Sequence, residues 1–134
     1  MKADLRALLS ALQPRRNPGV MAFVAVSADT AVTALEPIAT FRESEGVTLI
    51  VEESRAHAAG LTVLLRVAWL TLDVPSGLDA VGLTAAVATA LAAAGIACNV
   101  VAAAHHDHLF VPVERADAAL AVLRALQAQA ARNG

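Results

Sequence analysis

The stretch Trp69-Leu-Thr-Leu-Asp-Val74 is followed by Val81-Gly-Leu-Thr-Ala-Ala-Val-Ala-Thr-Ala-Leu-Ala-Ala-Ala-Gly-Ile-Ala-Cys-Asn-Val-Val101 and then by His106-Asp-His-Leu-Phe-Val-Pro-Val113. Its hydrophobic residues change from strand spacing to helix spacing and back, and a glycine or a turn residue marks each change. A leucine or valine recurs at every fourth position from Leu83 to Leu91, which is the spacing of one helix face. The stretch therefore predicts a β-α-β-β unit.

Shorter patterns surround this unit on both sides. Near the N-terminus, Leu5, Leu8, Leu9 and Leu12 form the apolar stripe of a short helix, which we expect to end in a turn cluster over residues 14–19. The Ser44-Glu45-Gly46 sequence predicts a hairpin. The remaining predictions are a strand at 20–26, hairpin strands at 37–43 and 47–53, a helical turn at 54–59, extended chain at 62–74 and a C-terminal helix from about 114–117.

The order of these elements predicts the fold class. Two halves of the chain each run strand, connection, hairpin and helix, although only the second half has room for a full helix in its first connection. Such an order gives an α+β fold, a ferredoxin-like sandwich with a mixed or antiparallel sheet and helices on one face.

Composition excludes several classes of partner. The chain has 134 residues, a formal net charge of -2 and 3% aromatic residues, and it lacks a basic run, so we expect no nucleic acid partner. The uncharged stretch 80–104 contains Asn99 and is interrupted by Gly95, so we expect no membrane span. The single Cys98 cannot form an internal disulfide, and no signal peptide is evident, so we expect a cytoplasmic protein.

Four segments carry a resemblance to a known family. They are Phe41-Arg-Glu-Ser-Glu-Gly-Val-Thr-Leu-Ile50 in the first half, and Val81-Gly-Leu-Thr-Ala-Ala-Val87, Gly95-Ile-Ala-Cys-Asn-Val100 and His106-Asp-His-Leu-Phe-Val-Pro112 in the second. The chain resembles small bacterial proteins built from two ACT-like halves, and the second half is similar to the regulatory region of aspartate kinases. This resemblance implies an ACT sandwich of two βαββαβ-related halves.

The resemblance also implies a division of the chain and a function. The expected parts are an N-terminal helix and turn at 1–19, a truncated ACT-like half at 20–60 and an ACT domain at 61–134. The implied function is that of a non-catalytic regulatory module without a cofactor. ACT domains typically bind amino acids or other small effectors between paired domains, so we expect an amino acid effector and a homodimer.

Carried over residue by residue, the resemblance places the effector at one turn and one strand. A helix beginning after Asp79 would offer unpaired backbone N–H groups to a carboxylate, and the Asn99 side chain would meet an amine. The alternative is that Asp79 caps its own helix and the glycines only close a tight turn. The expected site residues are Ser76, Gly77, Leu78, Asp79, Val81, Gly82, Ile96 and Asn99.

The cluster His105-His106-Asp107-His108 supports a different hypothesis. In a strand, His106 and His108 project to the same face, and Cys98 on a partner strand would lie roughly opposite them. Such a nitrogen and sulfur set suits zinc, so the alternative function is a metal-binding protein or a metal-assisted enzyme. Histidines at a hairpin tip are more commonly solvated turn residues, and we therefore assign no metal site.

Overall fold

The computed structural model describes residues 4–74 and 77–133 and has the predicted α+β fold class. The chain divides into two compact units. The middle unit is Pro18–Ala68, and the split unit combines the chain up to Asn17 with the chain from Trp69 onward. The helices are α1 Leu5–Ser10, α2 Glu53–Ala58, α3 Leu83–Ala93 and α4 Ala116–Arg132. The strands are β1 Pro14–Arg16, β2 Met21–Val26, β3 Ala39–Glu43, β4 Gly46–Glu52, β5 Leu65–Leu72, β6 Asn99–Ala102 and β7 Asp107–Pro112.

The middle unit is built on antiparallel pairs in the order β3, β4, β2 and the first part of β5. The predicted hairpin is confirmed, with Glu43 opposite Gly46 at its closed end. As expected, no full helix follows β2; residues 27–38 contain only the 3-10 helix Val32–Leu35. Five buried side chains form the core of this unit: Ala22, Val24, Leu49, Val51 and Ala56.

The split unit contains the β-α-β-β stretch and the C-terminal helix that the sequence predicts. The end of β5 pairs with β1 and neighbours β7, and β7 pairs with β6. Leu83, Val87 and Leu91 are the buried residues of α3, which confirms the predicted stripe. Gly95, at φ +72°, follows the end of that helix. The extended chain predicted at 62–74 contains one strand, β5 Leu65–Leu72.

The prediction of a turn cluster over residues 14–19 is wrong for its first three residues. Residues Pro14–Arg16 form strand β1, in which Pro14 lies opposite Leu72 and Arg16 lies opposite Leu70. Proline is tolerated here because it is the first residue of the strand. Strand β1 thus adds the N-terminal residues to the sheet of the split unit.

The first and last helices lie together in the split unit. The Gln127 side chain of α4 donates to the Ser10 carbonyl at 3.0 Å and accepts from the Gln13 N–H at 3.1 Å. Leu8 and Leu12 are buried, whereas Leu5 is 36% exposed. Within the described residues, no helix is long and apolar enough to cross a membrane.

Candidate functional site

The turn that precedes α3 carries most of the expected site residues. The Ala80 N–H donates to the Gly77 carbonyl at 3.1 Å, which closes the turn. A Cβ atom on Gly77 would lie 2.9 Å from Oδ1 of Asp79, so the carboxylate folds back over the glycine. Leu78 and Val81 are 70% and 71% exposed. Ser76 lies outside the described residues.

Helix α3 starts later than expected. Its first residue is Leu83 and its N-cap residue is Gly82, so Asp79 does not cap it. In the described part of the chain, no side chain caps this helix, and its first closing bond is donated by Ala86 to the Gly82 carbonyl at 2.9 Å. The three amides before that bond have no partner within the helix, and the helix dipole places positive charge there. This end of α3 has the chemistry that a carboxylate requires.

Gly82 has a structural role that the sequence does not reveal. Its φ of +98° is a left-handed conformation that residues with a side chain rarely adopt. A Cβ at this position would lie 3.1 Å from Cδ2 of Leu5, so α1 lies directly beside the start of α3. A substitution of Gly82 therefore costs folding free energy and displaces Leu5, and it is a poor test of ligand binding. Leu5 is a neighbour of this turn that sequence patterns do not indicate.

The two remaining site residues lie at the other end of α3. The Ile96 N–H donates to the Leu91 carbonyl at 3.0 Å, next to the helix C-terminus, and Asn99 follows as the first residue of β6. The 11 residues of α3 span about 16 Å at about 1.5 Å per residue. Within one chain, the structure does not bring Ile96 to the turn at Gly77–Gly82. Ile96 is buried and Asn99 is exposed.

The histidine cluster has a different geometry from the one expected for a metal site. The rings of His106 and His108 are 6.2 Å apart, as expected for side chains on one face. However, Val101 lies opposite His108, and Cys98 lies three residues before it, about 10 Å along the strand. The expectation that Cys98 faces the histidines is therefore wrong. Among the described residues, no three His, Cys, Asp or Glu side chains are arranged to hold a metal ion.

The surroundings of Cys98 also disfavour its thiolate, the form that acts as a nucleophile. Burial raises the pKa of its thiol to about 11. A thiolate is the reactive form, and desolvation disfavours it. Cys98 is thus a partly buried, protonated thiol at neutral pH.

A polar network that the sequence does not predict lies between β5 and β7. The Trp69 indole N–H donates to Nδ1 of His108 at 3.0 Å, and the Thr71 hydroxyl lies 3.1 Å from the same nitrogen. Asn17, just after β1, donates from Nδ2 to the Thr71 hydroxyl at 2.8 Å and to the Trp69 carbonyl at 3.2 Å. Three segments of the split unit thus meet at His108.

An ion pair continues this network toward the end of β5. Arg15 Nε donates to Oδ2 of Asp73 at 2.7 Å, and the Arg15 Nη1 donates to Oδ1 of Asn17 at 2.9 Å. Nε2 of His106 lies 3.3 Å from the other Asp73 oxygen. The hydrogen bond from Arg15 holds the pKa of Asp73 below its usual range. The signal in the sequence for this polar face is the alternation of Trp69 and Thr71 in β5 with Asp73 directly after it.

Comparisons with known proteins identify the family. The ACT domain family matches residues 2–67 and, through a second of its profiles, residues 65–125. The chain belongs to the ACT domain family. Both halves of the chain are therefore ACT domains, and the predicted ferredoxin-like fold is confirmed. ACT domains are typically non-catalytic, and the comparisons indicate no catalytic family.

Solved structures of similar proteins agree with the ACT fold. A protein of unknown function from Vibrio cholerae, described as a possible transport protein, is 45% identical, with a TM-score of 0.84 over 92% of this chain and 95% of that chain. A protein from Agrobacterium tumefaciens is 18% identical, with a TM-score of 0.73 over 85% of this chain and 87% of that one. The ligand-free regulatory subunit of aspartate kinase from Thermus thermophilus is 14% identical, with a TM-score of 0.65 over 87% and 97%. A search of the curated proteins finds no match.

Proposed function

We propose that this ACT protein is a regulatory sensor that binds an amino acid through its carboxylate at the start of α3. The observation that carries the proposal is the uncapped N-terminus of α3, next to a turn whose two apolar side chains, Leu78 and Val81, are about 70% exposed. The amides supply hydrogen bonds and the helix dipole supplies positive charge. The exposed apolar side chains supply a surface for the side chain of the effector.

The second part of the proposed site comes from a second copy of the chain. The carboxylate and the amine of an α-amino acid are only a few bonds apart, whereas α3 separates the turn from Ile96 by about 16 Å. One chain alone therefore cannot hold both groups with the turn and Asn99. In the proposed dimer, the turn at Gly77–Gly82 of one protomer faces the Ile96–Asn99 segment of the other. Ser76, the remaining expected contact, directly precedes Gly77 in the sequence.

The first expected result is that the protein is a dimer. Exposed apolar side chains at Leu78, Val81 and Val101 give the split unit surface to bury in such a contact. Sedimentation velocity at tens of micromolar protein should show twice the mass of the 13.7 kDa chain. A strict monomer, with and without amino acids, would contradict the proposed two-chain site.

The second expected result is a thermal shift with one or a few amino acids. A ligand at one hundred times its dissociation constant adds about 2.7 kcal/mol of stability, which a melting curve detects easily. Each amino acid is compared with its amide, which lacks the carboxylate charge, and the amide should give no shift. An equal shift with the amide would contradict the proposal that the N-terminus of α3 binds the carboxylate.

The variant Asn99→Ala tests the contribution of the Ile96–Asn99 segment to binding independently of the turn before α3. Loss of a hydrogen bond to a charged amine costs about 1.5–3 kcal/mol, so the effector should bind at least about tenfold more weakly. Asn133→Ala is the matched control, since Asn133 lies at the C-cap of α4. If Asn99→Ala keeps full affinity while the amide still fails to bind, the turn remains the site and the strand does not contribute.

The setting of this sensor is proposed to be the cytoplasm. A chain with a single cysteine can form no internal disulfide, which suits a reducing compartment. The location can be checked by fractionation of cells that express the full chain.

A further inference from the structure

The hydrogen bond between Trp69 and His108 fixes the protonation state of the histidine. An indole N–H can only donate, so Nδ1 of His108 must accept and cannot carry a proton. The neutral ring therefore carries its proton on Nε2. The Thr71 hydroxyl accepts from Asn17 and has its own proton available for the same Nδ1 atom. Two donors thus converge on one unprotonated ring nitrogen.

The surroundings of His108 also favour its neutral form. Arg15 on β1 and His106 beside β7 bring positive charge toward the ring, while Asp73 and Asp107 bring negative charge. Burial is the largest influence and, together with His106 and Arg15, it outweighs the two carboxylates and lowers the pKa of His108 from 6.5. Burial also raises the pKa of Asp107, which weakens that carboxylate as a counter-charge near acidic pH.

A proton on Nδ1 would break this arrangement. The protonated nitrogen can donate to Thr71, because a hydroxyl accepts as well as donates, but the Trp69 N–H then has no acceptor there. Asn17 connects both residues to the end of β1 through Thr71 and the Trp69 carbonyl. Strand β1 has only three residues in its register with β5, and the backbone and side-chain bonds of Asn17 to Trp69 and Thr71 extend that attachment.

We propose that Trp69 and His108 form a proton-sensitive contact that holds β1 to the sheet of the split unit and releases it when His108 is protonated. This device is separate from the proposed effector site and shares no residue with it. It would make the attachment of the N-terminal segment respond to mild acidification. The responding group is one histidine, and the reporting group is the one tryptophan in the chain.

The sign of the pH effect follows from the lowered pKa of His108. Between the folded and unfolded pKa values, the unfolded chain binds more protons than the folded chain. This contribution to stability is therefore complete above the unfolded value near 6.5, and it is lost as the pH falls through the folded value. The midpoint of the structural change should lie below 6.5.

Tryptophan fluorescence of the full chain provides the test. The chain has one tryptophan and no tyrosine, so the emission between pH 8 and pH 4.5 reports on Trp69 alone. A protonated imidazole quenches a neighbouring indole, so we expect a single transition with a midpoint below 6.5. His108→Gln should abolish the transition. His106→Gln should move it upward by removing a like charge, and His105→Gln, a matched control at an exposed residue, should leave it unchanged.

A second measurement keeps the proposal testable if His108→Gln fails to fold. Long-range nitrogen NMR spectra of the wild-type chain should show the Nε2–H tautomer of His108 at pH 8. Amide exchange of Arg15 and Asn17, whose positions alternate as hydrogen-bonded pairs with β5, should rise at least tenfold at pH 5 when divided by that of β2 as an internal reference. An Nδ1–H tautomer, a transition that persists in folded His108→Gln, or unchanged relative exchange in β1 would overturn the proposal.

Discussion

Gly46→Ala is expected to lower the free energy of unfolding by about 3 kcal/mol or more, because it combines a strained backbone with a collision inside the middle unit. Gly46 has a φ of +148°, and a Cβ atom there would lie 2.4 Å from the backbone oxygen of Val26. That oxygen belongs to the end of β2, which pairs with β4 at Val47, so it cannot move without breaking the pairing. Urea unfolding followed by circular dichroism measures the loss.

Gly60→Ala is the matched control for this substitution. Gly60 also has a positive φ, at +68°, but a Cβ atom there meets nothing within 4 Å. The control should therefore cost only about 1 kcal/mol, the usual penalty for a left-handed backbone with a side chain. Equal losses of stability for Gly46→Ala and Gly60→Ala would contradict the close approach of the Val26 backbone oxygen to Gly46.

Leu12→Ala should cost about 3 kcal/mol, within the usual range for a buried leucine. Leu12 is 0% exposed although it lies only twelve residues from the start of the chain. Its removal leaves a cavity and weakens the packing of the N-terminal segment in the split unit. The loss should appear in urea unfolding followed by Trp69 fluorescence, since Trp69 lies in the same unit.

Leu5→Ala tests whether this cost reflects burial or only membership of the apolar stripe. Leu5 belongs to the same predicted stripe but remains 36% exposed. Its replacement should cost less than about 1.5 kcal/mol. Equal losses for the two variants would show that the N-terminal helix is held along its whole length and not chiefly at Leu12.

The elements with strong local patterns could be predicted from the sequence. Leu83, Val87 and Leu91 recur at every fourth position and predict α3, because the spacing of one helix face is visible in the local sequence. The hairpin at Ser44–Gly46 follows from turn chemistry alone. Strand β1 could not be predicted, since its three residues have no alternation. Its structure depends on pairing with Leu70–Leu72, more than fifty residues away.

The candidate site likewise combines features that local sequence indicates with features that depend on the folded structure. The position of the turn before α3 follows from local sequence, whereas its separation from Asn99 depends on the length of a folded helix. The position of Cys98 relative to the histidines depends on the register of β6 and β7, and a shift of three residues separates them. The contact between Trp69 and His108 joins residues 39 positions apart, which no local pattern can indicate.

The bonds from Gln127 to Ser10 and Gln13 have a consequence for synthesis on the ribosome. Helix α1 is made before the middle unit, whereas its partner α4 is made after it. The middle unit, Pro18–Ala68, is continuous in sequence and has all its residues early, so it can fold while translation continues. Helix α1 therefore cannot make its bonds to α4 until the middle unit and α4 have been made, although it precedes both in the sequence.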